Sequence, residues 1–329
     1  MPKLKIGQDV IFIGLHVKVG VPQEKGNDNS KQKEELDQKI AVMKSCIAKA
    51  ISEASKKPSY KDAVKIFVAP EFFFQTSYGA SSVENEHMAI VVNELVTFLS
   101  DQSPELTDWL FVLGSTTEYE LKDGNVSLTD SNALPCNFTP TIKFDSVGHG
   151  NIRYVLKRWT SHIDYGRSTK IMDGQNVNSS PTNELTHHDQ SKITPTVKGI
   201  IDCGKAVVGV EVCLDHAEKV LQKTDGSDKV QIQILSSGGM SPVTAALVPK
   251  CQWLFNVDSL RGLNSTNKSG NGVRLCQWNP PKLQDKTTGY NDVCVDGVHV
   301  DTVFQSDSTK LNNKKQPWLR VYDPVTIQP

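Results

Sequence analysis

The sequence predicts an α/β domain in which helices cover the faces of β-sheets, and three observations support this fold class. Segments of strand-like and helix-like character alternate along the chain. Most of the strand-like runs are almost continuously apolar, as expected for strands that are buried on both faces. The chain of 329 residues is 38% hydrophobic and 22% charged, which is typical of a soluble protein with a sizeable core.

The first third of the chain contains three predicted strands and two predicted helices. The strands cover residues 9–19, 63–70 and 108–119, and the helices cover residues 33–54 and 81–101. In the first helix, Leu36, Ile40 and Met43 recur at the spacing of one helical face. Ser82, followed by Glu86, suggests where the second helix starts.

The middle of the chain continues the same alternation. Residues 132–145 and 151–159 read as two strands of a hairpin. Further along, strands are predicted within 204–213, 230–239 and 246–259, with a short helix at 215–223. The whole chain, 1–329, is interpreted as one domain.

Two irregular segments interrupt this pattern, near residues 166–195 and 264–292. The first is rich in Ser, Thr, Asn and His, and the second is rich in Gly, Asn and Pro. Long irregular segments within a compact domain are usually functional or mobile loops. We therefore interpret both as insertions.

The charge and hydropathy patterns argue against several classes of partner. A formal net charge of −1 gives no general attraction to nucleic acid or to an anionic membrane. No apolar run reaches the roughly 18 residues needed to cross a bilayer. The N-terminal segment lacks the features of a signal peptide and is read as a strand. These observations predict a cytoplasmic protein that binds neither nucleic acid nor membrane.

The seven cysteines are scattered and contain no C-x-x-C pair. Their number is odd and their spacing fits neither a disulfide framework nor a zinc site. A reducing compartment is the simpler interpretation. The pair His187–His188 with Asp189 lies in a polar segment without companion ligands, so no metal site is predicted.

Glu71 is the first candidate functional residue because it follows an apolar strand. In α/β proteins, ligand sites form beyond the carboxyl ends of strands. Glu71 stands between Pro70 and three phenylalanines, in "KIFVAPEFFF". Apolar surroundings disfavour the charged form of a carboxyl group and raise its pKa, which suits a general acid or base. The alternative is a strand-end glutamate that points to solvent.

Lys157 is the second candidate, at the end of the strand in "NIRYVLKRWTSH". The surrounding segment is basic, and most lysines are surface charges. On this segment alone, a solvent-exposed lysine therefore remains the stronger reading.

Cys213 is the third candidate, at the junction between a strand and a helix in "VVGVEVCLDHAEKV". A free cysteine is usually buried and inert. At a helix N-terminus, however, the dipole and the free N–H groups lower the pKa of a thiol. The backbone N–H of Leu214 would then point toward a reacting carbonyl oxygen. A Cys213–His216 pair is a minor alternative.

Taken together, these three segments resemble motifs of the nitrilase superfamily of carbon–nitrogen hydrolases. "FVAPEFFF" resembles its strand ending in Pro-Glu, and "RYVLKRWTSH" resembles its Tyr-x-Lys-x-His strand end with a longer gap before the histidine. "VVGVEVCLDH" is similar to its Gly-x-x-x-Cys-x-Asp elbow. Three further segments fit in the same order: "WLFVLGSTTEY", "SNALPCNF" and "IQILSSGGM". The resemblance covers about residues 8–260 and suggests a divergent member of an amidase branch.

The resemblance implies a four-layer α-β-β-α sandwich and a thiol-dependent hydrolase of non-peptide amides. Glu71 would act as the general base, Cys213 as the nucleophile and Lys157 as the group that stabilises the oxyanion, helped by the N–H of Leu214. The substrate would be a small-molecule or terminal carboxamide, and no metal or organic cofactor would be needed. Members of the family often dimerise, so a homodimer is implied as well.

The match to the family is incomplete after the lysine and after the cysteine. Many members carry a second glutamate shortly after the lysine, and here the candidates are Asp164 and the more distant Glu184. Leu214 and Asp215 follow the cysteine where true nitrilases tend to have Trp-Glu, which favours amide over nitrile substrates. The Phe-Pro-Glu expected after Asp215 is replaced by "HAEKV".

Three other functions stay open at this stage. The same thioester could be passed to an amine, which would make the protein an acyl or amido transferase. The fold could also serve as a binding scaffold without turnover, although such a scaffold has no need for all three residues. A papain-like Cys–His hydrolase fits less well because the cysteine lies in mid-chain, at the end of an α/β-type strand.

Overall fold

In the residues that the structure describes, three α-helices combine with two β-sheets. The computed structural model describes residues 7–17, 19, 29–77, 81–82, 87–102, 106–120, 134–144, 150–159, 194–195, 199–259, 272–278, 290–292, 297–299 and 317–328. The α-helices in these residues are α1 (Asn29–Ala54), α2 (His87–Asp101) and α3 (Leu214–Ala217). Within the same ranges, no helix is both long and apolar enough to cross a membrane.

The strands divide into one large and one smaller sheet. The first sheet contains β1 (Gln8–His16), β2 (Val64–Val68), β3 (Ser81–Ser82), β4 (Trp109–Val112), β5 (Thr116–Glu120), β6 (Leu134–Phe144), β7 (Gly150–Leu156) and β8 (Thr194–Pro195). The second sheet contains β9 (Ile200–Asp202), β10 (Val207–Val212), β11 (Ile232–Ser237), β12 (Trp253–Asp258), β13 (Val273–Trp278) and β14 (Tyr290–Asp292). Three C-terminal strands complete the first sheet: β15 (Gly297–His299), β16 (Trp318–Val321) and β17 (Val325–Ile327).

Parallel strands form the centre of each sheet, and antiparallel strands flank them. In the first sheet, β1, β2 and β4 are parallel neighbours. Their flanks are β16 and β17 beside β1, and β6 beside β4. In the second sheet, β10, β11 and β12 are parallel, with β9 and β13 antiparallel at either side. The predicted hairpin is confirmed, because β6 and β7 are antiparallel.

Alternating side chains of β1 divide the core between two faces of the first sheet. Ile11 and Ile13 belong to a hydrophobic cluster with the buried sides of α1 and α2. Val10 and Phe12 belong to a second cluster that the two sheets share. The ring of Phe12 lies 5.0 Å from that of Phe255 in β12, so the two sheets pack face to face.

A third hydrophobic cluster covers the outer face of the second sheet. It contains Leu235 of β11 and Leu254 of β12, together with Leu221 and Val248 from the segments that cross this face. The layers are therefore helices, first sheet, second sheet and a thin outer layer that contains α3. This α/β architecture is the predicted one, although the outer layer has only one short α-helix in the described residues.

The second helix begins later than predicted because a residue remote in sequence fixes its start. The helix α2 starts at His87, whereas Ser81 and Ser82 form the short strand β3. The carboxylate of Glu118 accepts a hydrogen bond from the N–H of Met88 at 2.8 Å. A carboxylate at this position satisfies one of the free amides of the first turn.

Two other segments also differ from their predicted form. The single strand predicted at 108–119 is two strands, β4 and β5, separated by a turn in which Gly114 has a φ of 79°. Gly114 could not carry a side chain there, because a Cβ atom would lie 2.6 Å from the carbonyl oxygen of Pro70. The predicted insertion at 264–292 contains β13 and β14, and of the insertion at 166–195 only β8 lies in the described residues.

Candidate active site

Glu71 and Lys157 form an ion pair that is closed off from solvent. Lys157 Nζ lies 2.9 Å from Glu71 Oε1, and both side chains are 0% exposed. Glu71 follows β2, and Lys157 directly follows β7. Taking two charges out of water is costly, and a buried pair stabilises a fold no better than well-packed apolar side chains would. The pair is therefore a candidate for function.

Asn137 joins this pair, although the sequence analysis did not single it out as a site residue. Its Nδ2 donates to Glu71 Oε1 at 2.9 Å. Its carbonyl oxygen accepts the backbone N–H of Lys157 at 2.8 Å. Asn137 lies within β6, where it faces Thr117 of β5. Its segment, "SNALPCNF", fits the order of the family's strands, but the partners of Asn137 depend on how β6 pairs with its neighbours.

Phe72 and Gly238 line the ion pair. The ring centroid of Phe72 lies 5.7 Å from Lys157 Nζ. Phe72 adopts a φ of 63°, and its N–H donates to Ser115 Oγ at 3.0 Å. A Cβ atom added to Gly238 would lie 2.8 Å from the Phe72 ring and 3.2 Å from Glu71 Oε2. The end of β2 is thus packed closely against the segment that follows β11.

Cys213 occupies a strained turn between β10 and α3. Its backbone angles are φ 48° and ψ −110°, and the residue is 5% exposed. Non-glycine residues in such regions cost about 1–3 kcal/mol each, and they cluster at active sites. Nucleophiles are presented on sharp strand-to-helix turns in α/β-hydrolases. The strain therefore supports a functional interpretation of this thiol over a structural one.

Two hydrogen bonds connect the cysteine turn to the strand end that carries Glu71. The N–H of Cys213 donates to the carbonyl oxygen of Ser236 at 3.0 Å. The hydroxyl of Ser236 donates to the carbonyl oxygen of Ala69, two residues before Glu71, also at 3.0 Å. Since Ser236 belongs to β11 and Ala69 follows β2, this path crosses from one sheet to the other.

Asp215 connects the cysteine turn to the strand end that carries Lys157. Its carboxylate accepts the N–H of Arg158 at 2.9 and 3.0 Å and the N–H of Trp159 at 2.7 Å. These two residues directly follow Lys157. The structure therefore links all three predicted residues, Glu71, Lys157 and Cys213, through short hydrogen-bonded paths.

The carboxyl group of Asp215 has an unusual environment. Burial raises its pKa to about 7, although the two backbone N–H donors and the charge of Lys157 lower it. Glu211 contributes in the same direction as burial. In the sequence, Asp215 is recognisable only as part of the elbow motif, because its hydrogen bonds to Arg158 and Trp159 depend on the packing of β7 beside the elbow.

The Cys213–His216 pair considered from the sequence is wrong. Both ring nitrogens of His216 are engaged with other groups. Nδ1 lies 2.7 Å from Glu211 Oε2, and Nε2 accepts the N–H of Val243 at 2.9 Å. His216 is therefore not the base that would take the proton of Cys213.

The helix after Cys213 is four residues long instead of the nine predicted. Lys219 adopts a φ of 58° and ends it. The N–H of Val220 donates to the carbonyl oxygen of Asp215, and the N–H of Lys219 donates to that of His216, as in a Schellman motif. A helix this short has little macrodipole. Leu214 is its first residue, and its N–H is one of those without a partner inside the helix.

Several sequence-based candidates lie outside the described residues. These are Asp164, Glu184 and the His187–Asp189 group. Within the described part of the chain, no cluster of three or more His, Cys, Asp or Glu could hold a metal ion. Five cysteines whose side chains the structure describes form no disulfide: Cys46, Cys203, Cys213, Cys251 and Cys276.

The side chains of this arrangement are of the types that acyl transfer to sulfur requires. A thiol is a good nucleophile once a base has taken its proton. A carboxylate can take that proton, and an ammonium group can stabilise an oxyanion in a site from which water is excluded. Glu71, Lys157 and Cys213 are these three groups.

Comparisons with known proteins give structural likeness only. No protein-family model matches the chain, and no curated protein matches it. Among solved structures, Nit3 of Saccharomyces cerevisiae, a member of branch 10 of the nitrilase superfamily, is 14% identical with a TM-score of 0.41. The match covers 82% of this chain and 83% of Nit3.

Two further structures are similar at the same level. A carbon–nitrogen hydrolase from Helicobacter pylori G27 is 11% identical, with a TM-score of 0.36 over 71% of this chain and 61% of that one. A cysteine-to-alanine mutant of the amidase from Nesterenkonia sp. AN1, in complex with butyramide, is 10% identical, with a TM-score of 0.38 over 83% of each chain. Each likeness is one of overall structure at low sequence identity.

Proposed function

We propose that this protein hydrolyses carbon–nitrogen bonds of non-peptide amides through a thioester on Cys213. The observation that carries the proposal is the buried Glu71–Lys157 pair, which hydrogen-bonded paths tie to the strained Cys213 turn. A purely structural role explains neither the buried charges nor the strained backbone.

In the first half of the reaction, Glu71 takes the proton of the Cys213 thiol, and the sulfur attacks the carbonyl carbon of the amide. The negative charge that develops on the carbonyl oxygen is stabilised by the ammonium group of Lys157 and the N–H of Leu214. The tetrahedral intermediate then collapses as Glu71 returns the proton to the leaving nitrogen. Ammonia or an amine departs, and the acyl group remains on sulfur.

In the second half, water replaces the amine and the same groups act again. Glu71 takes a proton from water, and the oxygen attacks the thioester carbon. Collapse of this intermediate breaks the carbon–sulfur bond and releases the carboxylic acid. The proton returns to the Cys213 sulfur, which restores the starting state.

Asn137 and Asp215 would hold the reacting groups in place. Asn137 fixes Glu71 Oε1, the oxygen that also pairs with Lys157. Asp215 fixes the backbone directly after Lys157. Both act through other residues, so we regard them as positioning residues.

The first experiment measures the rate of alkylation of Cys213 by iodoacetamide, with the modified peptide identified by mass spectrometry. We expect fast labelling that both Glu71→Gln and Lys157→Ala alter, because the three side chains would share one site. Cys46, Cys203 and Cys251 are internal references, since burial raises the pKa of each thiol to about 12. Labelling of Cys213 that is no faster than theirs, and insensitive to both substitutions, would favour a non-catalytic scaffold.

The second experiment tests turnover directly. Short aliphatic amides, beginning with butyramide, are incubated with wild type and Cys213→Ala, and release of ammonia and acid is measured. We expect hydrolysis by wild type alone. Hydrolysis that persists in Cys213→Ala would exclude Cys213 as the nucleophile. Addition of hydroxylamine separates hydrolysis from acyl transfer, because a transferase would form the hydroxamate in preference to the acid.

A further inference from the structure

A second buried polar cluster lies next to the Cys213 turn, on the outer side of the second sheet. It consists of Glu211, His216 and Gln233, which are 2%, 0% and 0% exposed. Glu211 Oε2 lies 2.7 Å from both His216 Nδ1 and Gln233 Nε2. The other carboxylate oxygen, Oε1, accepts the N–H of Leu221 at 2.8 Å. The mechanism proposed above uses none of these side chains.

The hydrogen bonds of the cluster fix the tautomer of His216. Val243 donates its backbone N–H to Nε2 at 2.9 Å, so Nε2 carries no hydrogen. The hydrogen of the neutral ring is therefore on Nδ1, which donates it to Glu211. The imidazole thus acts as a donor on one side and an acceptor on the other, with both bonds held by one rigid ring.

On one side, the cluster of Glu211, His216 and Gln233 is connected to the cysteine turn. The backbone N–H of His216 donates to the carbonyl oxygen of Cys213 at 3.0 Å. Glu211 lies two residues before Cys213 in β10. The two members of the pair therefore bracket the strained residue in sequence, and their mutual bond holds both sides of the turn.

On the other side, the cluster is connected to the segment 238–248, which follows β11. Val243 lies in it, and Gln233 holds its last part by donating to the carbonyl oxygen of Ala246 at 3.2 Å and accepting the N–H of Val248 at 3.2 Å. Gly238, the first residue of this segment, packs against Glu71 and Phe72. The His216–Val243 bond thus joins the turn that carries Cys213 to the segment that lies against Glu71.

We propose that His216, oriented by Glu211, is a positioning residue that sets Cys213 against Glu71 by holding the segment 238–248 at Val243. The inference rests on the proposed function, because it assigns His216 a part in the reaction of Cys213. An apolar side chain in place of His216 would fill this buried space with a smaller desolvation cost. A buried polar network that is fully hydrogen-bonded instead holds its neighbours in one arrangement. That property is useful where a displacement of about 1 Å slows a reaction roughly 100-fold.

Two substitutions of His216 separate its two hydrogen bonds. In His216→Asn, the side-chain amide can still donate to Glu211, but nothing reaches the N–H of Val243. In His216→Gln, the longer side chain can place its carbonyl oxygen near the former Nε2 position and accept that N–H. We expect the Asn variant to slow alkylation of Cys213 by iodoacetamide roughly 10-fold to 100-fold and the Gln variant to stay within about fivefold of wild type.

A third variant removes the other partner of the same bond. Val243→Pro deletes the donor N–H and leaves the side chains of His216 and Glu211 unchanged, while proline also moves φ of residue 243 from −117° to about −65°. We expect a slowing similar to that of His216→Asn, and little further slowing when the two are combined, because both remove one shared interaction. All rates are compared at equal folded fraction, measured by circular dichroism. The variant Asp108→Asn, which breaks the remote ion pair with Lys205 at 2.6 Å, is the control and should leave the rate unchanged.

The outcomes distinguish this inference from the proposed function. If wild-type Cys213 reacts no faster than the reference thiols, the proposed function fails and the positioning role with it. If wild type reacts fast and folded His216→Asn reacts equally fast, only the positioning role is overturned. Additive effects of His216→Asn and Val243→Pro would also overturn it, because the two residues would then act separately. If His216→Asn does not fold, Val243→Pro alone decides, and an unchanged rate in that variant rejects the role.

Discussion

The hydroxyl of Ser236 donates a hydrogen bond to the carbonyl oxygen of Ala69 at 3.0 Å, and this bond crosses between the two sheets. Ser236 also accepts the N–H of Cys213 through its own carbonyl oxygen. Because Ala69 precedes Glu71 by two residues, one serine connects the strand ends that carry the proposed nucleophile and base. Both of its polar groups are buried, so its contribution can be measured by substitution.

Replacing Ser236 with alanine should lower both stability and the reactivity of Cys213. The substitution leaves the buried carbonyl oxygen of Ala69 without this donor, which costs about 1–3 kcal/mol of unfolding free energy. Urea denaturation measures the loss, and iodoacetamide labelling measures the reactivity. Ser55→Ala is the control, because Ser55 donates to the carbonyl oxygen of Ser52 at an exposed helix end and should cost roughly 0.5 kcal/mol or less. A Ser236→Ala variant as stable as this control would show that solvent compensates for the lost bond.

Substitutions in the Glu71–Lys157 pair should have different effects on stability but the same effect on activity. Lys157→Ala leaves the Glu71 carboxylate buried without its counter-ion, which should cost about 3–5 kcal/mol of unfolding free energy. The double variant Glu71→Gln with Lys157→Met removes both charges at similar volume and should unfold within about 1 kcal/mol of wild type. Neither variant should show fast Cys213 labelling or amide hydrolysis.

The control for the ion pair is Lys33→Met, which breaks an exposed pair with Asp37 at 3.0 Å. An exposed pair contributes little, so the change should be roughly 0.5 kcal/mol or less. If Lys157→Ala lowered the unfolding free energy no more than this control does, the Glu71 carboxylate would have to be protonated or hydrated in the variant. If the double variant were as stable as wild type and its Cys213 were still labelled fast, neither charge would have a role in the reaction.

Asp215 should make stability depend on pH in a predictable direction. Its pKa is raised to about 7 by burial, from an ordinary value of 3.8. The folded protein therefore binds this proton more tightly than the unfolded chain does. The resulting stabilisation is fully present below about pH 4 and is lost as pH rises to about 7, with each pKa unit equivalent to about 1.4 kcal/mol.

The substitution Asp215→Asn removes this dependence while leaving one oxygen to accept the N–H groups of Arg158 and Trp159. The difference in unfolding free energy, variant minus wild type, should grow from about pH 4 to about pH 7 and then level off. Urea denaturation across this range measures it. A difference that stays constant with pH would mean that the carboxyl group is ionised throughout, with an ordinary pKa.

Glu71 and Cys213 could be predicted from the sequence because each follows an apolar strand, and Lys157 could be predicted because its segment resembles a motif of the nitrilase superfamily. Glu71 and Cys213 follow buried strands, whereas Lys157 follows β7, which is only partly buried, and hydrogen bonds link the three strand ends. The strands themselves were predictable from apolar runs, which is why β2, β10, β11 and β12 lie within their predicted ranges. The catalytic roles of the three residues remain predictions.

Features that depend on tertiary pairing could not be predicted. Asn137 reaches Glu71 only through the position of β6, and Asp215 reaches Arg158 only through the packing of β7. Lys219 ends α3 in the left-handed region without the glycine or asparagine that normally signals such an end. The start of α2 is likewise fixed by Glu118, thirty residues beyond Met88, so no local pattern indicates it.

Gly238 should be required for activity because it lies between the second sheet and the proposed base. In Gly238→Ala, the added carbon would lie 2.8 Å from the ring of Phe72 and 3.2 Å from Glu71 Oε2, so one of these groups must move. Overpacking of this kind costs about 1–3 kcal/mol, and the displacement of Glu71 should slow Cys213 labelling roughly 10-fold or more. The control is Gly150→Ala at the start of β7, where the new carbon would lie 3.3 Å from the ring of Phe144, remote from the ion pair. We expect that control to label at the wild-type rate, and an equal rate in Gly238→Ala would show that the position of Glu71 does not limit the reaction.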